Sequence, residues 1–241
     1  MNKGKAYANR KPIEQRPHED FYPTPRCMIQ ELVDFQLNEL RWEDNILDPC
    51  CGKYAIGNVL RDNNFFRLTE RDLIYGNDFL KKDETGNIII GDEYFDAIIM
   101  NPPFKSFNAF VEKSKKIADR VYCIGKMNFF GAHDRNVNGL WEHLEWVLPF
   151  DRQIAFDKPE HEDGKVEMGM MITGWFIWNN AYEGYPKIKV LDMQKFAYHK
   201  ERKKKNDKNL QREDCTNMIS KKQLELERNF IRALFTHANE N

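Results

Sequence analysis

Paired cysteines are the first feature that the sequence lacks. It contains five cysteines in 241 residues, which is an odd number, and it has two adjacent cysteines but no Cys-X-X-Cys pair. A disulfide framework usually needs an even set of cysteines, and a structural zinc site needs closely spaced Cys or His ligands. We therefore predict reduced thiols in a cytoplasmic compartment, without a disulfide scaffold and without a metal site.

Long apolar segments and an excess of either charge are also missing. The most apolar segment, residues 168–178, is shorter than the roughly 20 residues that a membrane-spanning helix needs. Residues 1–16 are polar and basic, so no secretory signal is expected. The 37 Lys and Arg residues nearly balance the 38 Asp and Glu residues. These absences predict a soluble protein and exclude a uniformly basic nucleic-acid coat protein, although they do not exclude a local basic face.

What the sequence does contain is an alternation of strand-like and helix-like segments. This alternation is typical of an α/β fold with a mostly parallel sheet. The last two strands leave no room for a helix between them, so we expect an antiparallel hairpin at the sheet edge. Strands are predicted over 45–48, 65–69, 95–100, 121–124, 153–156 and 168–178, and helices over 27–40, 55–62, 107–119, 137–147 and 220–238.

Composition divides the chain into three parts. Residues 1–20 are polar with little periodicity, and we predict a flexible N-terminal arm. Residues 21–191 carry the alternating elements and are predicted to form one folded domain. From residue 192 the chain turns basic, with eight Lys or Arg residues between 195 and 212. We predict a basic linker and a C-terminal helical extension over 192–241.

The strongest chemical signal is Asn101-Pro102-Pro103-Phe104 at the end of a predicted buried strand. The two prolines fix the backbone and make a rigid corner. That corner would aim the Asn101 side-chain oxygen and the Pro102 carbonyl out of the sheet, where both can accept from an amino group on a planar ring. Phe104 adds a flat face for a planar base. A plain strand stop with an Asn cap is the simpler interpretation.

Acidic residues follow the first two predicted strands. Asp48 opens a turn that ends at Gly52, and small residues in such a turn let a ligand approach the backbone. Asp72 lies past the second strand, where an acid is well placed for ribose hydroxyls, and Glu70 is its rival for that role. Asp78, followed by Phe79, suits an adenine amino group and its ring. Each acid taken singly is more often a solvated loop charge.

Taken in this order, the motifs resemble those of S-adenosylmethionine-dependent adenine-N6 DNA methyltransferases, of the compact kind found in phages and restriction–modification systems. The resemblance extends from about Phe21 to Pro186. It implies a Rossmann-like class I methyltransferase fold, with residues 21–191 as the catalytic domain. It also implies catalytic roles for Asn101, Pro102, Pro103 and Phe104, and cofactor contacts from Tyr22, Thr24, Pro25, Asp48, Pro49, Cys50, Gly52, Asp72, Asp78 and Phe79.

The resemblance implies transfer of a methyl group from S-adenosylmethionine to an adenine in DNA, in a bacterial or phage-infected cell. The adenine must leave the duplex stack to reach the site. Its amino group would donate to the Asn101 side-chain oxygen and the Pro102 carbonyl, and its ring would stack on Phe104. Because the methyl group is already activated on the cofactor, the protein's task is binding and orientation.

Two departures from the family pattern stand out. The family usually has a second glycine two residues after the first, but Tyr54 occupies that position here. Only five residues separate Asp72 from Asp78, so the helix expected between strands two and three is missing or moved. The Tyr54 departure motivates an alternative of another class, a catalytically inactive nucleic-acid-binding or partner subunit.

Basic residues offer candidate phosphate contacts. Lys105 follows the Asn-Pro-Pro-Phe corner, and Lys203, Lys204 and Lys205 lie in the basic run after the domain. A solvated helix face and a disordered linker are the competing interpretations of the two sets. A planar amino group also occurs in RNA adenine and in a protein glutamine amide, so both remain alternative acceptors. A homodimer or a second subunit is a further possible partner.

Overall fold

The computed structural model describes residues 23–36, 39–156, 158 and 160–197. Several predicted features lie outside the described residues: the N-terminal arm, Tyr22, the basic run with Lys203, Lys204 and Lys205, and the C-terminal helix. The division of the chain at residues 20 and 191 therefore stays a prediction. No helix in the described part of the chain is long and apolar enough to cross a bilayer.

Seven strands form one sheet in the order β2-β1-β3-β4-β6-β5-β7. Strands β2, β1, β3 and β4 lie side by side in this order and pair in parallel. Strand β6 pairs antiparallel with both β4 and β5. This arrangement confirms the predicted mostly parallel α/β sheet with an antiparallel hairpin. The strands are β1 (Ile46–Asp48), β2 (Leu68–Glu70), β3 (Phe95–Met100), β4 (Ala118–Lys126), β5 (Leu144–Pro149), β6 (Thr173–Asn179) and β7 (Lys187–Ile188).

Helices cover both faces of this sheet. The helices are α1 (Arg26–Gln36), α2 (Ala55–Asp62), α3 (Phe107–Ile117) and the short α4 (His133–Val137). Alternate residues of β3 supply the two cores: Ile99 packs with α1 and α2, whereas Ile98 packs with α3. A strand that is apolar at successive positions is what a sheet buried on both faces requires.

Two buried tryptophans of β6 connect the sheet to its flanking layers. The Trp175 indole N–H donates to the carbonyl of Met28 in α1 over 2.9 Å. On the opposite face, the Trp178 indole N–H donates to the Leu140 carbonyl over 2.9 Å. Strand β6 therefore contacts segments that lie 147 and 38 residues before it in the chain.

The predicted helix over 137–147 is wrong. Its N-terminal part belongs to α4 and a turn, and its C-terminal part begins β5. Gly139 and His143 have φ angles of 69° and 64°, which a right-handed helix does not permit. The apolar residues Leu144 and Val147 pair with β6 instead, so sheet pairing outweighs the helical spacing of the apolar positions.

The partner of β6 was also mispredicted. The predicted strand over 153–156 contains only a single bridge, between Ile154 and Met168. β6 starts at Thr173 rather than at residue 168 and forms its hairpin with β5. The expected hairpin is present, but its first strand comes from earlier in the chain.

The chain after β2 departs from the arrangement that the resemblance implies. Only a one-turn 3₁₀ segment, Leu73–Tyr75, and an isolated bridge between Lys82 and Ile88 precede β3. In the described part of the chain, β2 is therefore the edge strand of the sheet. The loop that carries Asp72 and Asp78 starts from this edge.

Candidate cofactor and catalytic site

A cavity of about 730 Å³ opens at the carboxyl ends of β1, β2 and β3. Ligands of open α/β sheets bind at this edge, because the loops that follow parallel strands converge there. The loop after β1 contributes one wall, the loop after β2 another, and the Asn101 corner the third. The predicted site residues that line the cavity are Thr24, Asp48, Pro49, Cys50, Gly52, Asp72, Asp78, Phe79, Asn101 and Pro103.

Asp48 is the most unusual charge in this cavity, since its side chain is only 3% exposed. Its Oδ1 accepts from the Cys50 backbone N–H over 3.1 Å, but its Oδ2 is buried without a partner. Burial, aided by the charges of Glu70 and Asp72, raises the pKa of Asp48 to about 8, although the Cys50 hydrogen bond opposes this shift. A cationic group in the cavity would pair with the free oxygen and favour the ionised form of Asp48.

The Asp48-to-Tyr54 loop keeps a glycine-like shape without the second glycine. Tyr54 has φ 63° and ψ 27°, the left-handed conformation that glycine adopts without steric cost. Its ring stacks on Tyr75 with centroids 5.6 Å apart and planes 9° apart. Tyr54 is therefore a strained residue in this loop.

The neighbouring cysteines in this loop are not reactive thiols. Cys50 and Cys51 are free, and both line the cavity. Burial, together with the Asp48 charge, raises the pKa of Cys50 well above its usual value and that of Cys51 to about 12. Both thiols stay protonated at neutral pH, so their contribution here is small apolar bulk.

Asp72 is fixed by the backbone of both loops. Its two carboxylate oxygens accept from the backbone N–H groups of Gly52 (2.8 Å) and Ile74 (3.0 Å). Glu70, the rival acid, is instead ion-paired with Arg61 of α2 and does not line the cavity. Of the two acids, Asp72 is the one that lines the cavity.

Asp78 and Phe79 close the far wall of the cavity. The Asp78 carboxylate accepts from the Leu80 backbone N–H over 2.9 Å, and the Phe79 ring is buried. The Lys113 ammonium lies 4.6 Å from the Phe79 ring centroid and donates to the carbonyls of Phe79 and Ile89. Lys113 therefore anchors this wall to α3.

Asn101 reaches the cavity with its side chain already oriented. Its Nδ2 donates to the Thr24 hydroxyl oxygen over 3.0 Å, across 77 residues of sequence. Since Thr24 is buried and takes the amide N–H, the Asn101 Oδ1 is the acceptor left for a ligand. This hydrogen bond joins the segment before α1 to the corner after β3.

Phe104 stands beside the cavity rather than in its wall. Its ring meets Phe129 edge to face at 5.9 Å, and the Lys126 ammonium lies 4.6 Å from its centroid. Pro102 is buried, Lys105 is exposed, and the Pro25 carbonyl accepts from the Met28 N–H in the first turn of α1. None of these four predicted residues lines the cavity.

Several residues of the cavity wall were not singled out by the sequence motifs. Leu73 and Ile74 supply an apolar rim, and Ser106 and Phe110 approach from the start of α3. The signal that was available for Leu73 and Ile74 is their position directly after Asp72. Nothing in the sequence alone indicates that Phe110, six residues beyond Phe104, reaches the same space.

No family model and no curated protein matches this chain. Solved structures do match it in fold. A type I restriction–modification system methyltransferase subunit from Streptococcus thermophilus superimposes on 74% of this chain and 49% of its own, with a TM-score of 0.52 and 12% identity. A protein from Listeria monocytogenes, described as a class I S-adenosylmethionine-dependent methyltransferase, covers 75% of this chain and 68% of its own, with a TM-score of 0.45 and 11% identity.

The EcoKI M protein of a type I restriction enzyme covers 70% of this chain and 48% of its own, with a TM-score of 0.45 and 14% identity. This chain thus spans about half the length of the two restriction–modification proteins. At such identities the likeness establishes the fold alone: the chain has the Rossmann-like class I methyltransferase fold that the resemblance implied.

Proposed function

We propose that this protein transfers a methyl group from S-adenosylmethionine to the N6 amino group of an adenine flipped out of DNA. The observation that carries the proposal is the Asn101 side chain at the cavity. Thr24 takes its amide N–H and leaves its oxygen as an acceptor for an amino group. The proposed reaction makes the protein a site-specific, adenine-specific DNA methyltransferase.

The residues around the cavity fit the proposed cofactor. S-adenosylmethionine supplies a methyl group already activated on a sulfonium, together with a cationic amino group, a ribose and an adenine ring. The unpartnered Oδ2 of buried Asp48 suits the amino group. Asp72 lies where ribose hydroxyls would be bound, and Asp78 with Phe79 suits the adenine. Three acids in one cavity favour a cationic ligand over an anionic one.

The acceptor side of the site rests on the corner after β3. The Asn101 Oδ1 and the Pro102 carbonyl are the two acceptors proposed to hold the hydrogens of the adenine amino group. Phe104 is proposed to stack on the base. The Lys126 ammonium already covers part of the Phe104 ring, so a stacked base would take the other face or displace the lysine. The chemistry then depends mainly on how accurately these groups orient the amine.

Duplex DNA is the proposed partner, with Lys105 and the run Lys203, Lys204 and Lys205 as proposed phosphate contacts. A restriction–modification or phage setting in the cytoplasm follows from the resemblance. A homodimer or a second subunit is a further proposed partner. The restriction–modification subunits among the structures of similar fold accord with this proposal.

The backbone of Tyr54 weakens one argument for the alternative hypothesis of a catalytically inactive subunit. That interpretation rested on Tyr54 in place of the second glycine, and Tyr54 adopts a left-handed backbone conformation that is also open to glycine. RNA adenine and a protein glutamine amide stay alternative acceptors, because both offer a planar amino group to Asn101.

The test is a transfer assay with labelled S-adenosylmethionine and, separately, duplex DNA, RNA and protein extract. We expect label in DNA adenine and its loss in Asn101→Ala. Asn136→Ala, an exposed asparagine of α4, is the control and should retain activity. Label in RNA or protein alone would redirect the proposal to those acceptors. Absence of both transfer and cofactor binding by calorimetry would refute it.

A further inference from the structure

The feature that the proposed mechanism leaves unused is the pair of tyrosines beside the cofactor cavity. Tyr54 and Tyr75 belong to different loops, one after β1 and the other after β2. Their rings are stacked and remain 38% and 49% exposed. Neither ring lines the cavity, so any effect on a ligand has to act through neighbouring residues.

The pair is joined to Gly52, which does line the cavity. The Tyr75 hydroxyl donates to the Gly52 carbonyl over 2.9 Å. On its other side, the Gly52 N–H donates to the Asp72 carboxylate over 2.8 Å. The backbone N–H and the carbonyl of Gly52 are therefore both bound by the loop after β2. The position of Gly52 depends in turn on the position of Tyr75.

The loop after β2 needs such support, because it starts from the edge strand. In the described part of the chain no strand pairs with the outer side of β2, and one 3₁₀ turn follows Asp72. Beyond the Gly52 contacts, two backbone bonds join the chain after β1 to the chain after β2: Cys51 N–H donates to the Arg71 carbonyl, and Arg71 N–H donates to the Asp48 carbonyl. The stack of Tyr54 on Tyr75 adds a side-chain contact between the two loops.

The backbone conformation of Tyr54 also supports a structural role for its ring. A residue with a side chain occupies a left-handed conformation that glycine would adopt freely. Such strain persists where the surroundings over-determine it, and here the Tyr54 backbone bonds to Cys51 and Asn58 act together with the stack on Tyr75. Glycine could make the same two backbone bonds, so the ring is what tyrosine adds at position 54.

We infer that Tyr54 and Tyr75 form an aromatic clamp that holds Gly52 and Asp72 in the geometry that binds the cofactor. The inference rests on the proposed function and adds two positioning residues to it. The clamp supports a loop that, within the described ranges, has one 3₁₀ turn after Asp72 and no strand on the outer side of β2. Its loss is expected to weaken the binding of S-adenosylmethionine without changing the chemistry at Asn101.

The test compares three variants by calorimetry with S-adenosylmethionine. Tyr54→Gly keeps the backbone conformation and removes the ring, so the dissociation constant should rise about tenfold, equivalent to ~1.4 kcal/mol. Tyr54→Phe keeps the stack and should bind within about twofold of wild type. Tyr75→Phe keeps the stack but loses the bond to the Gly52 carbonyl, so its dissociation constant should rise about fivefold.

Steady-state kinetics separate positioning from general damage. The KM for the cofactor should rise in Tyr54→Gly while kcat stays at the wild-type value, because the clamp does not touch the reacting groups. Wild-type affinity in Tyr54→Gly, or an equal loss in Tyr54→Phe, would overturn the clamp. Should Tyr54→Gly fail to fold, wild-type affinity in Tyr75→Phe would overturn it as well. Wild-type protein that binds no S-adenosylmethionine would instead refute the proposed function.

Discussion

At the scale of single residues, Asp48 depends most on what occupies the cavity. Its carboxyl is buried with one oxygen unpartnered, and burial raises its pKa to about 8. In the unfolded chain the same group titrates near 3.8. A group with a raised pKa in the folded protein costs no stability below its unfolded pKa. Its cost grows as pH rises and is complete above the folded pKa.

Replacement of Asp48 by Asn therefore has a pH-dependent effect on stability. In cofactor-free protein, the wild type should lose free energy of unfolding relative to Asp48→Asn as pH rises from about 4 to 8, by a few kcal/mol in all. Urea unfolding of both proteins across this range measures the difference. A difference that does not change with pH would show that Asp48 is solvated. In the same variant, affinity for S-adenosylmethionine should fall at least about tenfold.

Thr24 controls the second residue-scale property, the orientation of Asn101. Thr24→Val removes the oxygen that accepts from the Asn101 amide and leaves the volume unchanged. The amide is then free to rotate, so the rate of methyl transfer should fall about tenfold. Single-turnover transfer to duplex DNA measures this effect, with Thr24→Ser as the variant that retains the hydroxyl. A wild-type rate in Thr24→Val would leave Asn101 without its proposed orienting partner.

At the scale of elements, the parallel strands and the presence of an antiparallel hairpin were predictable, but the first strand of that hairpin was not. The bounds of α2 and β3 match the prediction because α2 has a clear amphipathic spacing, whereas β3 is a mostly apolar strand that ends just before the Pro102-Pro103 corner. Strand β5 was missed because Leu144 and Val147 also fit a helical spacing. The choice between the two is made by β6, which lies about 30 residues further along the chain.

The site divides in the same way. The motif residues after β1, β2 and β3 converge because parallel strands end at one edge, and the sequence was sufficient to predict that convergence. Neither the bond from Asn101 to Thr24 nor the stack of Tyr54 on Tyr75 follows from local sequence. Both join segments whose separation is set only by the folded sheet.

Lys113 tests how α3 supports the cavity wall. Its ammonium donates to the carbonyls of Phe79 (2.8 Å) and Ile89 (2.6 Å) and lies over the Phe79 ring. Lys113→Met keeps the length but leaves both carbonyls without this donor, so the free energy of unfolding should fall by about 1–2 kcal/mol. Urea denaturation measures the change, and exposed Lys116 in the same helix provides the control, Lys116→Met. Equal midpoints for the two variants would contradict the role of Lys113.

At the scale of the whole molecule, the near-zero net charge conceals a separation of acidic and basic residues along the sequence. Asp48, Asp72 and Asp78 all line one cavity, where a cationic ligand is proposed. Most of the basic run lies outside the described residues, so its place relative to that cavity is a matter for experiment. Salt dependence is the measurement that counts charge contacts without a structure, because each phosphate contact releases counterions.

The basic run predicts a specific change in that salt dependence. Binding of the full-length protein to duplex DNA should weaken between low and physiological salt. Replacement of Lys203, Lys204 and Lys205 by Gln should reduce the slope of log K against log salt by about 2.7 if all three contact phosphate. Fluorescence anisotropy measures the slope, with Gln at exposed Lys81, Lys82 and Lys189 as the charge-matched control. An unchanged slope in the first variant would remove the run from the DNA interface.

The contact of Trp175 in β6 with α1 has a consequence for the stage of synthesis at which the cavity is completed. Trp175 binds the backbone of α1, and α1 follows directly on Thr24, which binds Asn101. The N-terminal wall of the cavity is therefore docked by a strand that is synthesised after every residue that lines the cavity. A nascent chain that ends before residue 173 holds the proposed catalytic and cofactor motifs but lacks the strand that binds α1. Synthesis of β6 should thus precede any competence to bind a ligand.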